Sequence, residues 1–479
     1  MHLSLDRTSP EPLPQQIRRA LADRIRSGLI PPGERLPTVR RLAEQLGVSP
    51  VTVMQAYATL EAAGLVSRVQ GSGVYVRERP EAPPEGRKPE PYGWQRGLPD
   101  YIPRSLAGHL TRTDLPPRGI PMHVAIVDAG LLQVMELVNA IRNAALNDPA
   151  RLGWYSPTEG VPELREAVAA HLRRMGMAIS AGEVLITQGA QQGIDLVART
   201  FTGPGDAVAV ESPCYPPIID AFLARGARLH PIPVDGEGMQ VDRLAEIPGL
   251  RLACVVPNFQ NPTGAVLSRR RRASLLELAR RRGFLILEDD PWSEFAFGGR
   301  ALPPSLKSQD PDGHVIYLKS FSKLLSVGVR LGAAVASGLV FERLVAAKRL
   351  TDLGVSLLPQ LAVTAVLQSP RLQRHLQRMI GALRERRDAV LEALTAHAPR
   401  AVRWSRPGGG LNIWLTLPPH VDPEALLRAA EARGILFAPG TGFFVGDPEG
   451  SHLRLSFGAA PPADLQRGVR ELCALMEEG

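Results

Sequence analysis

Five continuous apolar runs in the middle of the chain constrain its fold more than any other feature. Each run has six or seven residues and leads into a polar or glycine-rich loop, usually followed by a helix-like pattern. Continuous apolar runs indicate strands buried on both faces, and intervening helices favour parallel pairing. We therefore expect an α/β fold in which a mostly parallel sheet has helices on both faces. The runs are Glu183–Gln188 (EVLITQ), Ala207–Ser212 (AVAVES), Leu252–Asn258 (LACVVPN), Phe284–Asp290 (FLILEDD) and His314–Ser320 (HVIYLKS).

Chemically distinctive residues follow these runs, at the sheet edge where open α/β folds bind ligands. Asp289 and Asp290 close the fourth run, and KSFSK (residues 319–323) closes the last, with Arg330 seven residues beyond Lys323. Each feature alone is ordinary, since a lysine in a serine-rich loop is usually solvated and an aspartate after a strand usually caps a helix. The order and context of the whole set change that reading, because they match a family that is described below. The earlier loops add Gly189-Ala190-Gln191-Gln192, Tyr215 and Asn261-Pro262-Thr263-Gly264.

The amino-terminal segment carries signals for three helices and a hairpin. Apolar residues recur every four positions over Leu13–Gly28, and the phrase SGLIPPGERLP then breaks that helix. Thr38 and Ser49 are suitable N-caps for two further helices, which Gly47 separates by a tight turn. The alternating segment LVSRVQGSGVYVRE, centred on Gly71-Ser72-Gly73, predicts a hairpin. This order is typical of a winged helix-turn-helix.

Charge and composition narrow the function classes. The formal net charge is +8, and the first 79 residues contribute +4 of it through eleven arginines, no lysine and seven acidic residues. This excess favours a polyanionic partner. Cys214, Cys254 and Cys473 are too few and too scattered for a disulfide framework or a metal site. No signal pattern and no membrane-length apolar run is present, so we expect a cytoplasmic protein. We also expect it to hold no metal, because the cysteines do not form a metal-binding pattern.

Domain boundaries follow from a change in composition. Residues 78–97 (ERPEAPPEGRKPEPYGWQRG) are rich in proline and charge and lack apolar periodicity, which is typical of a linker. The predicted organisation is a winged helix-turn-helix over residues 1–79, a linker over 80–97 and an α/β domain over 98–479.

From about Trp94 onward, the motifs and their order resemble the fold-type-I pyridoxal-phosphate enzymes of the aminotransferase class. The fold of that class implies a small α+β subdomain over roughly residues 370–479. The resemblance implies that Lys323 forms a Schiff base with pyridoxal phosphate, a role that needs an amine able to lose its proton in a partly desolvated site. It also implies that Asp289 pairs with the pyridine nitrogen, which makes the ring an electron sink, and that Asn261 bonds the phenolic oxygen. Arg454, in HLRLSFG, stands where this class binds the substrate carboxylate. The candidate catalytic residues are therefore Lys323, Asp289 and Arg454.

The same resemblance supplies the other cofactor contacts. Tyr215, in ESPCYPP, would stack on the ring face. Tyr155, in WYSPTEGVPELR, would reach the phosphate bound in the partner subunit, which implies a homodimer. A helix amino terminus and its neighbours would hold the phosphate dianion. The residues of that phosphate cup are Gly189, Ala190, Gln191, Ser320, Ser322 and Arg330.

One position departs from the class. A tyrosine usually follows the ring-nitrogen aspartate by two or three residues and also bonds the phenolic oxygen, whereas this chain has Trp292. An indole N–H can donate a hydrogen bond but cannot reproduce the acid–base behaviour of a phenol. We therefore expect cofactor binding, with Trp292 among the contacts, and weak or partial transamination.

The segment from Leu13 to Val76 resembles the GntR-type winged helix, and both domains together resemble the MocR/GabR group of regulators. In that group an aminotransferase-like domain binds cofactor and effector, and two chains form a head-to-tail dimer. The resemblance implies double-stranded DNA as a partner, because arginine and hydroxyl side chains anchor phosphates and recognition-helix residues contact base edges. The implied DNA contacts are Arg40, Ser49, Thr52, Arg68, Gly71, Ser72 and Gly73.

A second departure falls in the recognition helix. GntR proteins often carry an arginine after the serine or threonine cap, whereas Pro50 and Val51 follow Ser49 here. A guanine contact is therefore lost, and sequence would be read by Thr52, Gln55, the wing and DNA shape.

Two hypotheses remain open from the sequence. In the first, the chain is a transcription regulator whose pyridoxal domain senses a carboxylate-bearing amine or pyridoxal phosphate itself. In the second, it is a metabolic aminotransferase with an appended DNA-binding domain.

Overall fold

The computed structural model describes residues 12–26, 30, 33–69, 73–77, 119–299 and 301–478. The chain divides into two compact units, residues 1–101 and 102–479. Gly71, Ser72 and the predicted linker over 80–97 lie outside the described residues. Within the described ranges, no helix combines the length and apolar character needed to cross a membrane.

The first unit has the elements that its caps and periodicity predict. Ser49 caps the third helix and has Pro50 at its first position, and Thr38 caps the second, which ends at Gly47 with φ +61°. The last two elements pair as an antiparallel hairpin. The elements are α1 Leu13–Arg26, α2 Val39–Leu46, α3 Pro50–Ala62, β1 Val66–Val69 and β2 Gly73–Val76.

One small apolar core holds these elements together. The third helix buries the predicted residues Val53, Tyr57 and Leu60, and also Ala56. The Tyr57 hydroxyl donates to the carbonyl of Pro37 at 2.7 Å, which ties α3 to the residues before α2. The two helices of the helix-turn-helix are therefore fixed relative to each other by packing and by a partly buried hydrogen bond.

The second unit alternates strands and helices, as its apolar runs predict. Its helices are α4 Val134–Asn147, α5 Pro162–Arg174, α6 Gly189–Phe201, α7 Pro216–Leu223, α8 Arg269–Arg282, α9 Gly338–Arg349, α10 Leu357–Gln368, α11 Leu372–His397, α12 Pro423–Ala432 and α13 Pro462–Glu478. Its strands are β3 Ile120–Pro121, β4 Val184–Thr187, β5 Ala207–Ser212, β6 Arg228–Asp235, β7 Gly238–Met239, β8 Leu250–Val255, β9 Leu285–Asp290, β10 Val315–Ser320, β11 Gly332–Val335, β12 Arg403–Trp404, β13 Asn412–Leu417, β14 Ile435–Leu436, β15 Ala438–Pro439 and β16 Ser451–Ser456.

An eight-stranded sheet of order β4-β11-β10-β9-β8-β5-β6-β7 forms the centre of this unit. The pairs β10/β9, β9/β8, β8/β5 and β5/β6 are parallel. Strand β11, which no apolar run predicted, pairs antiparallel with both β10 and β4. All five predicted strands therefore run in the same direction, and the expectation of a mostly parallel α/β sheet is confirmed.

A second, antiparallel sheet of order β12-β13-β16-β15 lies near the carboxyl terminus, and α11, α12 and α13 belong to the same stretch of chain. The expected small α+β part is thus present. Ile120 in β3 pairs in parallel with Ile435 in β14, so the start of the described second unit joins elements from near its end.

Gly332 in β11 lies where the sheet meets the start of α6. A Cβ at this position would lie 2.8 Å from the carbonyl carbon of Gly189, 2.8 Å from the carbonyl oxygen of Lys319 and 2.9 Å from the nitrogen of Ala190. All three neighbours are backbone atoms, which cannot rotate away as a side chain can. A glycine is therefore required where β11 contacts the amino terminus of α6.

We predict that Gly332→Ala lowers the free energy of unfolding of the second unit by about 1–3 kcal/mol, because the added methyl group overpacks a rigid backbone contact. Gly381→Ala is the matched control, since a Cβ there meets no atom within 4 Å and alanine favours a helix interior. The control should raise stability by about 0.5–1 kcal/mol. Denaturant unfolding of both variants checks the prediction, which fails if Gly332→Ala is as stable as the unchanged protein.

Candidate functional site

A cavity lies where the parallel strands end, as expected for an open α/β sheet. The parallel register places Leu318 opposite Asp289 and Lys319 opposite Asp290, so the two motifs that close β9 and β10 lie side by side. The cavity is lined by Val124, Ala125, Ile126, Ala190, Gln191, Tyr215, Asn261, Asp289, Pro291, Trp292, Ser320, Ser322, Lys323, Arg330 and Arg454.

Most of the predicted cofactor residues share this cavity. Gly189 does not line it but lies beneath Arg330, whose guanidinium is 3.2 Å from where a Cβ of Gly189 would be. Tyr155 is elsewhere on the surface of the unit, with 90% of its area exposed. The structure thus brings together residues that are distant in the chain, and leaves Tyr155 out of the site of its own subunit.

Asp289 is the buried carboxylate of the cavity. Burial and the neighbouring charge of Asp290 raise its pKa to about 7, although Lys319 and Lys323 oppose this increase. Its Oδ1 atom is buried and accepts no hydrogen bond from the described residues. A buried acceptor of this kind is costly unless a donor reaches it, and a protonated ring nitrogen is such a donor.

Lys323 is the only lysine that lines the cavity formed by the described residues. Burial lowers the pKa of its amine to about 8, and the charges of Arg454 and Arg330 act in the same direction against that of Asp289. A substantial fraction of the amine is therefore neutral near that pH. The neutral amine is the form that attacks an aldehyde.

The start of α6 forms an anion-binding corner. Gly189 has φ +73°, and the close guanidinium of Arg330 leaves little room for any side chain there. The Thr187 hydroxyl donates to the carbonyl of Gly189 at 2.9 Å and holds this turn in place. Helix N–H groups, the serines at positions 320 and 322 and one guanidinium thus converge on the space expected for a phosphate dianion.

Arg454, on strand β16, is a buried cation of the cavity wall. Its Nη1 donates to Oδ1 of Asn261 at 3.0 Å, its Nη2 donates to the carbonyl of His123, and its guanidinium lies 5.1 Å from the ring centroid of Phe443. Burial lowers its pKa to about 10, so it remains charged at neutral pH. Its Nε atom is buried without a hydrogen-bond partner among the described residues.

Trp292, the departure from the usual tyrosine, is buried in the cavity wall. Its indole Nε1 has no acceptor among the described residues. Together with Oδ1 of Asp289 and Nε of Arg454, it is one of three buried polar atoms on described residues of this cavity that lack a protein partner. The cavity thus offers a buried acceptor, two unused donors and the anion-binding corner at α6. These groups suit pyridoxal phosphate, which has a protonatable ring nitrogen, a phenolic oxygen and a phosphate.

A buried ionic network beside the cavity was not predicted from the sequence. Lys319 Nζ donates to Glu294, whose other carboxylate oxygen is 2.9 Å from Nε2 of His171. Burial alone would raise the pKa of Glu294, but Lys319 and His171 together hold it well below its usual range. The Tyr317 hydroxyl and the backbone N–H of Ser293 both donate to the Asp290 carboxylate. The network fixes the loop that carries Trp292, and the only signal for it was a lysine inside an apolar run.

Residues in the cavity wall and one residue behind it had no sequence signal. Val124, Ala125 and Ile126 belong to a segment without a recognisable motif, and they give the cavity an apolar side. Asn412 donates to Oδ1 of Asn261 at 3.3 Å, so Asn261 accepts hydrogen bonds from two side chains at once.

The predicted DNA contacts lie in the first unit. Arg40 is exposed, and the hydroxyls of Ser49 and Thr52 are 2.8 Å apart at the start of α3. Arg68 is exposed and lies 3.8 Å from Glu61. Gly73 opens β2 with φ +133°, and a Cβ there would lie 2.7 Å from Nε of Arg35, which places that arginine beside the hairpin.

We predict that the rate at which Lys323 captures added pyridoxal phosphate rises with pH, with a midpoint at about 8 and a plateau above it, because burial lowers the pKa of its amine. Arg454→Gln removes a nearby positive charge and should move the midpoint to higher pH, whereas Asp289→Asn should move it to lower pH. Borohydride trapping followed by mass spectrometry measures the captured fraction. Arg467→Gln, at an exposed position of α13, is the control, and a midpoint near the ordinary lysine value would contradict the prediction.

Two family models match the chain. The model of "Aminotransferase class I and II" matches residues 127–472, and that of "Bacterial regulatory proteins, gntR family" matches residues 13–76. The structure is similar to that of LysN, an alpha-aminoadipate aminotransferase from Thermus thermophilus, complexed with N-(5'-phosphopyridoxyl)-L-leucine. That likeness has a TM-score of 0.71 and 33% identity and covers 78% of this chain and 96% of that chain. The cofactor of the second unit is therefore pyridoxal phosphate.

Relatives match both units at once. The chain is 30% identical over 473 residues to YdcR, an uncharacterized HTH-type transcriptional regulator of Escherichia coli, covering 97% of this chain and 99% of that protein. It is 28% identical to MocR of Rhizobium meliloti, a probable rhizopine catabolism regulatory protein, over 98% of this chain and 95% of that protein. The chain thus belongs to the aminotransferase class I and II family, as a GntR-type transcription regulator of the MocR group.

Proposed function

We propose that this regulator senses a small amine that carries a carboxylate, or pyridoxal phosphate itself, through the cavity of its second unit. The observation that carries the proposal is that Lys323 and Arg454 line the same cavity. One can hold the cofactor aldehyde, and the other offers a planar donor fork to a carboxylate.

Different residues of the cavity bind different parts of the cofactor and of the ligand amine. Pyridoxal phosphate, when bound, supplies an electrophilic carbon at which one amine can replace another. Asp289 would hold a proton at the ring nitrogen, the α6 corner would hold the phosphate, and Tyr215 would cover the ring face. Arg454 orients the carboxylate of the incoming amine, so amines that lack a carboxylate bind more weakly.

Ligand binding controls DNA binding only through a difference in affinity. An amine that binds one arrangement of the protein better than another shifts the population toward that arrangement, and DNA binding shifts with it. We place the conformational response at Lys323, because a free Lys323 amine would make different contacts in the cavity from an amine that holds the cofactor.

The first unit binds DNA through its GntR-type winged helix, and the residue roles are part of the proposal. Arg40 and Arg68 contact phosphates, and Ser49 and Thr52 lie at the start of the helix that enters the major groove. The wing over residues 71–73 approaches the minor groove. A protein that regulates chromosomal genes in this way works in the cytoplasm.

Apart from the similarity to transcription regulators, one residue favours sensing over metabolic turnover. Trp292 stands where a phenol would assist proton transfers, and an indole cannot do so. The groups for amine exchange are nevertheless present, so slow half-transamination is compatible with the site. Steady turnover at about 10 per second would instead favour the metabolic alternative.

We also propose that the chain acts as a head-to-tail homodimer in which Tyr155 reaches the phosphate bound by the partner subunit. Trp154 and Tyr155 are 81% and 90% exposed in the single chain. They line one shallow depression with Leu152 and Leu353, whose side chains are also exposed. Exposed apolar surface of this kind is typical of an interface.

We predict that an active effector changes both the visible absorbance of the holoprotein and its affinity for the DNA upstream of its own gene, the latter by about fivefold or more. The probes are L-leucine, L-phenylalanine, L-glutamate and 4-aminobutyrate. Arg454→Gln should lose the response to these carboxylates, and Arg467→Gln should keep it. An absorbance change without any change in DNA affinity would refute sensing.

We predict that Trp154→Glu converts the dimer to monomer, because a charge replaces a large apolar contact, and that it weakens cofactor binding by removing the partner's tyrosine from the site. Sedimentation velocity and cofactor titration measure the two effects. Leu339→Glu, at a position of α9 that is 68% exposed, is the control. A Trp154→Glu protein that remains dimeric would show that this surface is not the interface.

A further inference from the structure

Helix α3 has one buried face and one exposed face. Val53, Ala56, Tyr57 and Leu60 are buried and pack on the core of the first unit. The opposite side carries Val51, Met54, Gln55 and Ala58, all exposed and at the same helical spacing, and we call these four residues the outer stripe. Val51 is 55% exposed and Met54 is 48% exposed, so two large apolar side chains lie in water on one helix face.

The outer stripe carries no charge. It therefore lacks the guanidinium or ammonium group that makes the common bidentate contact to guanine O6 and N7. The hydroxyls of Ser49 and Thr52 are engaged at the helix start, since Ser49 Oγ accepts from the backbone N–H of Thr52 at 3.2 Å and lies 2.8 Å from its hydroxyl oxygen. Other exposed side chains of the helix must then supply most of the base contacts.

The surroundings of the stripe identify its occupant as duplex DNA. Arg35, Arg40 and Arg41 are exposed on the same small unit, and none of them lies on the outer stripe. The neutral, largely apolar outer stripe suits the base edges on the floor of a DNA groove. The exposed arginines of the same unit suit the phosphates that border the groove. A protein partner that covered the strip would not require these positive charges.

One kind of base pair offers what the stripe can bind. In the major groove, thymine presents its C5 methyl group, and adenine of the same pair presents N6 and N7, which an amide side chain can contact together. We propose that the outer stripe reads A·T pairs in the major groove, with Val51 and Met54 against thymine methyl groups and Gln55 hydrogen-bonded to adenine. The inference rests on the DNA-binding role of the first unit and adds the bases that it selects.

Uracil substitution tests the methyl contact directly. Duplexes are selected by the full-length holoprotein from a library with a randomised centre, and the enriched duplex is resynthesised with deoxyuridine for thymidine at one half-site position at a time. Loss of a contacted methyl group should weaken binding about fourfold, the equivalent of ~0.8 kcal/mol for one buried carbon. Deoxyuridine outside the half-sites is the DNA control and should have no effect.

Protein variants assign the effect to residues. Val51→Ala and Met54→Ala should each lose the preference for thymidine over deoxyuridine at one position, because each variant loses more affinity for the thymidine duplex than for the deoxyuridine duplex. Both positions are exposed, so the first unit should fold normally, which circular dichroism checks. Leu339→Ala, an exposed apolar position in the second unit, should retain the full preference.

Several results would overturn the inference. Equal affinity for thymidine and deoxyuridine duplexes, or selection of half-sites made of G·C pairs, would do so while leaving salt-sensitive DNA binding, and hence the proposed function, intact. A change of sedimentation coefficient in Val51→Ala and Met54→Ala without a change in base preference would make the stripe a protein interface. Failure to bind any duplex in a salt-dependent manner would overturn the proposed function as well, and a salt titration identifies that case.

Discussion

The parallel pairing of β9 with β10 is the constraint on which the cofactor site depends. Its register sets Leu318 opposite Asp289, so the strand that ends in the buried carboxylate lies next to the strand that leads to Lys323. Strand β11 then returns antiparallel beside β10 and brings Gly332 against the start of α6. Because each contact involves backbone atoms, the carboxylate, the amine and the anion-binding corner keep fixed relative positions.

Electrostatics within the cavity follow from this geometry. Burial raises the pKa of Asp289 to about 7 and lowers that of Lys323 to about 8, so both groups are poised near neutrality. Lys319 and Glu294 form a buried ion pair that does not line the cavity, and their opposite charges cancel. Perturbed carboxylate and amine groups that share one cavity are typical of functional sites, and here they serve a regulator.

In the first unit, the residues that we assign to DNA contacts are mostly exposed rather than buried. Its helices are short and depend on caps, since Thr38 and Ser49 satisfy backbone N–H groups that would otherwise lack partners. A packed inner face of α3 leaves the outer stripe free to contact a groove. The periodicity of this one helix therefore gives a buried inner face and an exposed outer face.

The sequence by itself determined the order of elements, the five strands of common direction and the helix caps, because apolar runs and capping residues act locally. It also determined which residue types are available to a pyridoxal site, through motifs such as KSFSK and Asn261-Pro262-Thr263-Gly264. Only the tertiary structure decided which other residues line the cavity, since Val124, Ala125 and Ile126 arrive there by packing and carry no motif. The pairing of Lys319 with Glu294 and His171, the insertion of β11 and the exposure of Tyr155 likewise depend on contacts between distant segments, which local patterns do not encode.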